Sequence, residues 1–264
     1  LGHSAFIIQA KGKTILLDPM FGNVPAPHPW LGTKRYNPEM PITIEELPEI
    51  DIVLFSHDHY DHLDYGSIKK LKDKTKQFVV PLGIGAHLET WGIKKKNITE
   101  LSWWDAVEMD GFKLTCTPSR HFSGRGILDR FSTLWSSWVI ETGSKRLYFS
   151  GDSGYGPHFK EIGERFGSFD FAMMECGQYD KRWEEIHMLP EQTVLAAKDL
   201  NAQLFMPIHW AAFSLSLHAW NDPPKQAEIH ANNWGQPVLI PEIGEMITLE
   251  KQHSEPTISS WWRD

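Results

Sequence analysis

The feature that most limits how this chain can fold is a succession of short runs of branched and aromatic residues. They read AFIIQA, KTILLD, DIVLFS, QFVVPL, FKLTCTP, SSWVIET, KRLYFSGD, FDFAMMEC, AQLFMPIH and EMITLE. Runs of this length and composition are strands. Between them lie helical stretches, DYGSIKKLKDK, IGAHLETWG, PHFKEIGERFG, PEQTVLAAKDLN and PPKQAEIHANNWG, several opening near Pro and closing at Gly or Asn. Many early strands follow one another with no helix between them, which fits an α+β sandwich of two sheets covered by helices better than a doubly wound sheet. With 264 residues, 41% of them hydrophobic, one well-packed core is affordable and a single domain over 1–264 is expected.

The remaining bulk features narrow the class. A formal charge of -8 provides no broad basic surface, so nucleic acid is not an expected partner. Cys116 and Cys176 sit in apolar contexts, which suits core packing rather than a disulfide framework. No apolar run approaches bilayer length. The start, LGHSAFIIQAKGK, lacks Met and reads as a strand entered midway, so upstream residues are expected to be missing. A cytoplasmic or peripheral-membrane location is the expectation. The Pro-rich segment from Phe21 to Pro48 is long and irregular, as functional loops often are, and Trp30, Leu31 and Tyr36 argue against plain disorder.

The chemistry concentrates in SHDHYDHLD, directly behind DIVLF. His57 and His59 share one side of an extended segment, while Asp61 and His62 follow a turn and can address a neighbouring spot. A solvated turn has no need of three imidazoles behind a buried strand. Four residues cannot complete two metal shells, so further ligands are expected at other strand ends, where a sheet edge holds them rigidly. His121 after FKLTCTPSR, Asp152 after KRLYFSG and His209 after AQLFMPI each repeat the pattern of an apolar run followed by one ligand-type residue.

With these residues in place, the chain resembles the metallo-beta-lactamase superfamily of dinuclear hydrolases. More narrowly it resembles N-acyl-phosphatidylethanolamine phospholipase D and its bacterial relatives, through LGHS, LLDPMFG, GTKRYNP, SHDHYDHLDYGSI, TPSRHFSGR, FSGDSGYGPHFKEIGERFGSFD, YDKRWEEIHMLPEQTV and IHWAAF. The resemblance implies a four-layered αββα sandwich with the site at one edge of the paired sheets. It implies that His57, His59 and His121 hold one divalent metal and that Asp61, His62 and His209 hold the other, with Asp152 bridging. Zinc suits the donor set first, with manganese or iron as alternatives.

Such a centre implies hydrolysis by a hydroxide shared between the metals, on a small-molecule or lipid phosphodiester, with Asp61 orienting the nucleophile. The resemblance places His187, before the helix start at Pro190, near the substrate, where it could bind phosphate or protonate the leaving oxygen; the alternative is an N-cap-region histidine positioned by that helix. Tyr60 could face the pocket or pack under its loop. Lactone opening, as in relatives acting on sugar-phosphate lactones, is the alternative chemistry, and a non-catalytic metal module the alternative of another class. His3, His28, His87, His158, His218, His230 and His253 lack the strand-end context and read as surface or core residues, with His218 the one to watch. A lipid substrate predicts Trp30, Leu31 and Tyr36 on an exposed apolar patch; a soluble sugar phosphate predicts basic walls.

Overall fold

The computed structural model describes residues 1–37, 39–249 and 261–263. Its first sheet runs in chain order: β1 (Phe6–Ala10), β2 (Lys13–Leu17), β3 (Ile50–Leu54), β4 (Thr75–Pro81) and β5 (Ile98–Leu101). Strands β1 and β2 form a hairpin, and β2 to β5 are parallel. In the second sheet β6 (Ala106–Met109), β7 (Phe112–Thr117), β8 (Ser137–Thr142) and β9 (Lys145–Phe149) form an antiparallel meander. Strands β10 (Phe171–Glu175) and β11 (Phe205–Ile208) then join it in parallel.

The period of two along each strand explains the layering. Ile15, Leu17, Ile52, Leu54 and Val79 from the first sheet meet Leu114, Cys116, Trp138, Ile140, Phe149 and Met173 from the second, forming the core between the sheets. The alternate residues face outward and are covered in turn. Leu16, Val53, Phe78 and Val80 pack under α1 (Tyr65–Leu71) and α2 (Ile84–Thr90). Val139, Tyr148, Ala172 and Met174 pack under α3 (His158–Phe166), α4 (Pro190–Asp199) and α5 (Asp222–Trp234). The result is the expected αββα order. Trp138, fully buried, also ties the layers together, because its indole donates to the Phe55 carbonyl at the end of β3 (2.9 Å). Truncating it to Ala would cost about 3–5 kcal/mol.

All five helices form where the caps and periodicity place them. Strands β5 and β6 are absent from the periodicity reading because ITEL and AVEM are short and interrupted by exposed acidic residues, as edge strands are. EMITLE is the reverse error: residues 245–249 make no strand, although Ile247 and Leu249 still pack on the inter-sheet core while Met246 points outward. Its apolar residues alternate, but it finds no neighbouring strand to pair with among the described residues, and Glu250 lies outside them. Both cysteines are buried free thiols. No helix of the described residues is long and apolar enough to cross a membrane.

Candidate metal centre

Six strands deliver polar side chains to one edge of the sandwich. The C-terminal end of β2 leads to Asp18, β3 to the segment His57–His62, β7 to His121, β9 to Asp152, β10 ends at Glu175, and β11 leads to His209. The segment after β3 is fixed at its far side by the start of α1, where Asp64 accepts from the Ser67 amide (2.7 Å) and hydroxyl (2.6 Å) as an N-cap. Close backbone approach needs glycine twice. Gly151, at φ 55°, precedes Asp152, and a Cβ there would sit 2.6 Å from Ser56 Cβ; at Gly177 a Cβ would run into the His209 carbonyl.

The seven strand-end candidates converge. His57, His59, His121 and Asp152 offer ligand atoms within 4.8 Å of one another, and so do Asp61, His62 and His209, joined there by His3. Asp152 lies between the groups: its carboxylate is 3.7 Å from His57 Nε2, 3.8 Å from His121 Nε2, 3.2 Å from His62 Nε2 and 3.3 Å from His209 Nε2. Nearly all of this is buried.

The buried polar groups are incompletely satisfied in a telling way. His57 Nε2, His62 Nε2 and Asp152 Oδ1 all point into the cluster and none makes a well-aligned hydrogen bond, although His62 Nε2 and Asp152 Oδ1 face each other at 3.2 Å. Leaving such groups unpaired in a dry interior costs about 1–3 kcal/mol each, so a set of convergent orphans fits a bound cation. The ring nitrogens facing the other way are occupied as ligand histidines require. His62 Nδ1 donates to Asp18 (2.7 Å), His57 Nδ1 meets the Ser56 hydroxyl (2.9 Å), and His121 Nδ1 donates to the Ile186 carbonyl (3.0 Å). Tetrahedral or five-coordinate divalent cations accept this mixture of imidazole and carboxylate donors.

The electrostatics of the two groups differ. Burial, together with the neighbouring imidazoles, holds His57 and His121 well below the ordinary histidine pKa; burial lowers His59 too, so these three are neutral donors. In the second group burial also opposes charge, but Asp152, Asp61 and Glu175 overrule it and push His209 up to about 10. Against the same burial, Asp152, Asp61 and Asp18 hold His62 well above its usual value. Burial works to raise the carboxyls of Asp61 and Asp152, and the surrounding histidines outweigh it, keeping both ionised.

Three participants are not among the seven sequence candidates. His3, expected at the surface or in the core, is buried, and it also joins the cluster: its Nε2 lies 3.0 Å from Asp61 Oδ2 and its ring packs 4.2 Å from that of His209. Burial drives its pKa down to about 3, so it is a neutral donor to Asp61. It precedes β1, so no apolar run announces it. Asp18 anchors His62 and Ser56 from the end of KTILL, a strand end where the pattern could have found it. Glu175 is fully buried at the end of FAMME, facing His187 (3.3 Å) and His209 (3.4 Å) while accepting from the Met188 amide (2.9 Å).

His187 stands at the margin of the cluster, its ring parallel to that of His209 at 5.4 Å and edge-on to His121 at 5.2 Å. Tyr60 is used elsewhere: its hydroxyl donates to the Arg125 carbonyl (2.8 Å) and its ring lies under the Arg125 guanidinium (4.0 Å), which is the packing alternative. His218 stacks on Tyr179. His28 stacks on Trp30, His87 lies 3.7 Å from Asp58, His158 contacts the Ser153 hydroxyl, and His230 packs near Trp234. His253 lies outside the described residues.

Comparison with known proteins agrees with this architecture. The family model described as "Beta-lactamase superfamily domain" matches residues 13–210. An uncharacterized protein of Mycobacterium tuberculosis is 36% identical over 270 residues, spanning 99% of this chain and 70% of its own length. The N-acyl-phosphatidylethanolamine-hydrolyzing phospholipase D 1 of Caenorhabditis elegans is 34% identical over 227 residues, 81% of this chain and 64% of the relative. Among solved structures, the metallo hydrolase Igni18 of Ignicoccus hospitalis superposes with a TM-score of 0.71 at 22% identity, covering 95% of this chain and 97% of that one, a likeness of fold.

Proposed function

This chain belongs to the metallo-beta-lactamase superfamily of metal-dependent hydrolases, and on that premise we propose that it is a dinuclear phosphodiesterase of the phospholipase D type. The observation that carries the proposal is the pair of adjoining donor groups with Asp152 between them and unpaired His57, His62 and Asp152 atoms aimed into the gap. In this reading His57, His59 and His121 would hold one cation, zinc by preference, and Asp61, His62 and His209 would hold the second, with Asp152 available to both. Bound there, the cations would lower the pKa of water and neutralise charge developing on phosphoryl oxygens.

The residues supply the rest. Asp61, ionised and steadied by His3, accepts a hydrogen from the attacking water and aims its lone pair at phosphorus. His187 turns Nδ1 to Glu175, which leaves Nε2 for a substrate oxygen; protonated there, it can hand the proton to the departing alcohol opposite the nucleophile. Glu175 contacts both His187 and His209, so the leaving-group side is held in register with the donor groups.

The surface favours a lipid-borne diester. Trp30 is 76% exposed, and Leu31 and Tyr36 are exposed on the same loop. Leu215, Leu217 and Trp220 on the loop after His209, and Ile127, Leu128 and Phe131 on the loop after His121, add to them. Exposed large apolar residues thus concentrate on segments that leave the site edge, where a soluble sugar phosphate would call for basic walls. Peripheral contact with a membrane is part of this proposal, and a single domain over 1–264 is proposed alongside it.

The test is turnover by purified, metal-loaded protein on N-acyl-phosphatidylethanolamine and on soluble phosphodiesters. Release of phosphatidic acid or a phosphomonoester is the expected result. Cleavage of lactones with neither diester touched would replace the phosphodiesterase reading with lactonase chemistry.

A further inference from the structure

The loop from Phe122 to Thr133 leaves the cluster edge and ends in a tip that the fold does not use. Ile127 and Leu128 are 97% and 98% exposed, so both side chains stand clear of every described neighbour, and Phe131 is exposed beside them. The tip is nonetheless braced. Asp129 accepts from the amides of Arg125 (3.1 Å) and Gly126 (2.7 Å), and its own carbonyl accepts from the Ser132 amide and hydroxyl. The neck is closed by Phe131 N–H to the Ser123 carbonyl (3.0 Å) and by the Ser123 hydroxyl to the Thr133 carbonyl (2.6 Å).

The base of the loop is fastened to the donor segment itself. Buried Asp58, between His57 and His59, accepts from Gly124 N–H (2.8 Å) and from the Thr133 hydroxyl (2.9 Å). Arg125 Nη1 reaches back to the carbonyls of Asp58 (2.6 Å) and Leu63 (2.8 Å). Two aliphatic side chains are therefore held out at a fixed place relative to the centre. Arg130 lies next to them, exposed, its guanidinium over the rings of Phe122 (4.6 Å) and Phe131 (5.0 Å), and no carboxylate of the described residues pairs with it.

We propose that this loop is an interfacial anchor that seats the protein on a phospholipid surface carrying anionic headgroups, with Ile127 and Leu128 entering the acyl boundary and Arg130 meeting headgroup phosphate. Two protruding side chains are far short of the roughly 800 Å² per partner that a specific protein interface buries, whereas a fluid surface closes around a narrow tip. The apolar pair flanked by an unpaired cation complements an anionic bilayer, and with a net charge of -8 on the chain the attraction has to be local. The proposal rests on the phosphodiesterase reading for its purpose, since it would bring a lipid-borne diester to the site, but not for its test.

The experiment is co-sedimentation of the full chain with phosphatidylcholine vesicles, with and without phosphatidylglycerol. Hydrolysis of a soluble diester, bis(4-nitrophenyl) phosphate, and thermal unfolding are run alongside. Wild-type protein binds, more strongly with phosphatidylglycerol. Ile127→Ser with Leu128→Ser weakens partitioning by at least about tenfold, Arg130→Gln removes the phosphatidylglycerol preference, and all variants keep wild-type unfolding and soluble-diester turnover. Wild-type failure to bind, or equal sedimentation of the double variant, overturns the anchor. So does sedimentation equilibrium in which the wild type self-associates through the tip and the double variant does not. Vesicle binding with no diester turnover would uphold the anchor and remove the phosphodiesterase reading alone.

Discussion

Replacing Asp18 by Asn isolates the role of a residue that stands outside the two adjoining donor groups and holds His62 from behind. Asp18 is fully buried; one carboxylate oxygen accepts from the Ser56 amide (2.8 Å), and the other from the Ser56 hydroxyl (2.5 Å) and His62 Nδ1 (2.7 Å). Asn has the same shape and tolerates the φ of 34°, so the fold should survive. Its NH₂ must nevertheless face either the Ser56 N–H, donor against donor, or His62 Nδ1. In the second case His62 is satisfied only by accepting at Nδ1, which keeps a proton on Nε2, the atom that a cation would need free. The lost charge-assisted bond is worth about 1.5–3 kcal/mol, and lost partners of this kind weaken metal affinity by about 10- to 100-fold. The assay is competition against a chromophoric chelator during zinc titration, with circular dichroism confirming the fold. The step that uses His62 should weaken by that amount, with a smaller loss at the step that uses His57, because the Ser56 hydroxyl that donates to Asp18 also meets His57 Nδ1. Two unchanged steps would refute the idea that Asp18 fixes the His62 tautomer.

Other consequences can be measured directly. Because Asp61 and Asp152 keep His62 and His209 charged in the ion-free protein, cation uptake near neutral pH should release about two protons. Calorimetry in buffers of different ionisation enthalpy reads this number, and zero would contradict the assignment. Ion-free stability should peak near neutral pH. His209, raised to about 10, contributes stability that is full below the unfolded value of 6.5 and is lost as pH rises through 10. His3, lowered to about 3, takes up its proton first in the unfolded chain, so stability also falls as pH drops below 6.5. Denaturant midpoints across pH, with chelator present, would test both limbs. Replacing His187 by Gln should lower kcat for a poor leaving group by about 10²- to 10⁴-fold, with little effect on an activated nitrophenyl diester. Equal losses on both would remove it from proton delivery.

The fold was legible because the chemistry of burial is written at short range. Alternation in KTILL, DIVL and SWVIET assigns one set of side chains to the inter-sheet core and the other to the helices, and the helix caps mark where each cover begins. The donor cluster was legible for a related reason: a ligand placed directly after an apolar run is carried by a rigid strand to a common edge. His3 was not, because a bridge to Trp210 delivers it rather than a strand of its own, and only tertiary contact with Asp61 reveals it. Glu175 ends the apolar run FAMME, but its contacts with His187 and His209 span 12 and 34 residues of sequence and exist only in the folded chain. The failure at EMITLE has the same root, since pattern specifies which side chains seek the core but not whether a neighbouring strand is there to pair.

The central claim is that the strand-end histidines and aspartates were brought together to hold two cations. Metal content per chain, determined by plasma mass spectrometry on protein dialysed against zinc and then freed of excess, tests it most directly. Two equivalents, falling to one when His121 is replaced by Ala, are predicted; no tightly held metal, or a content indifferent to that replacement, would contradict it.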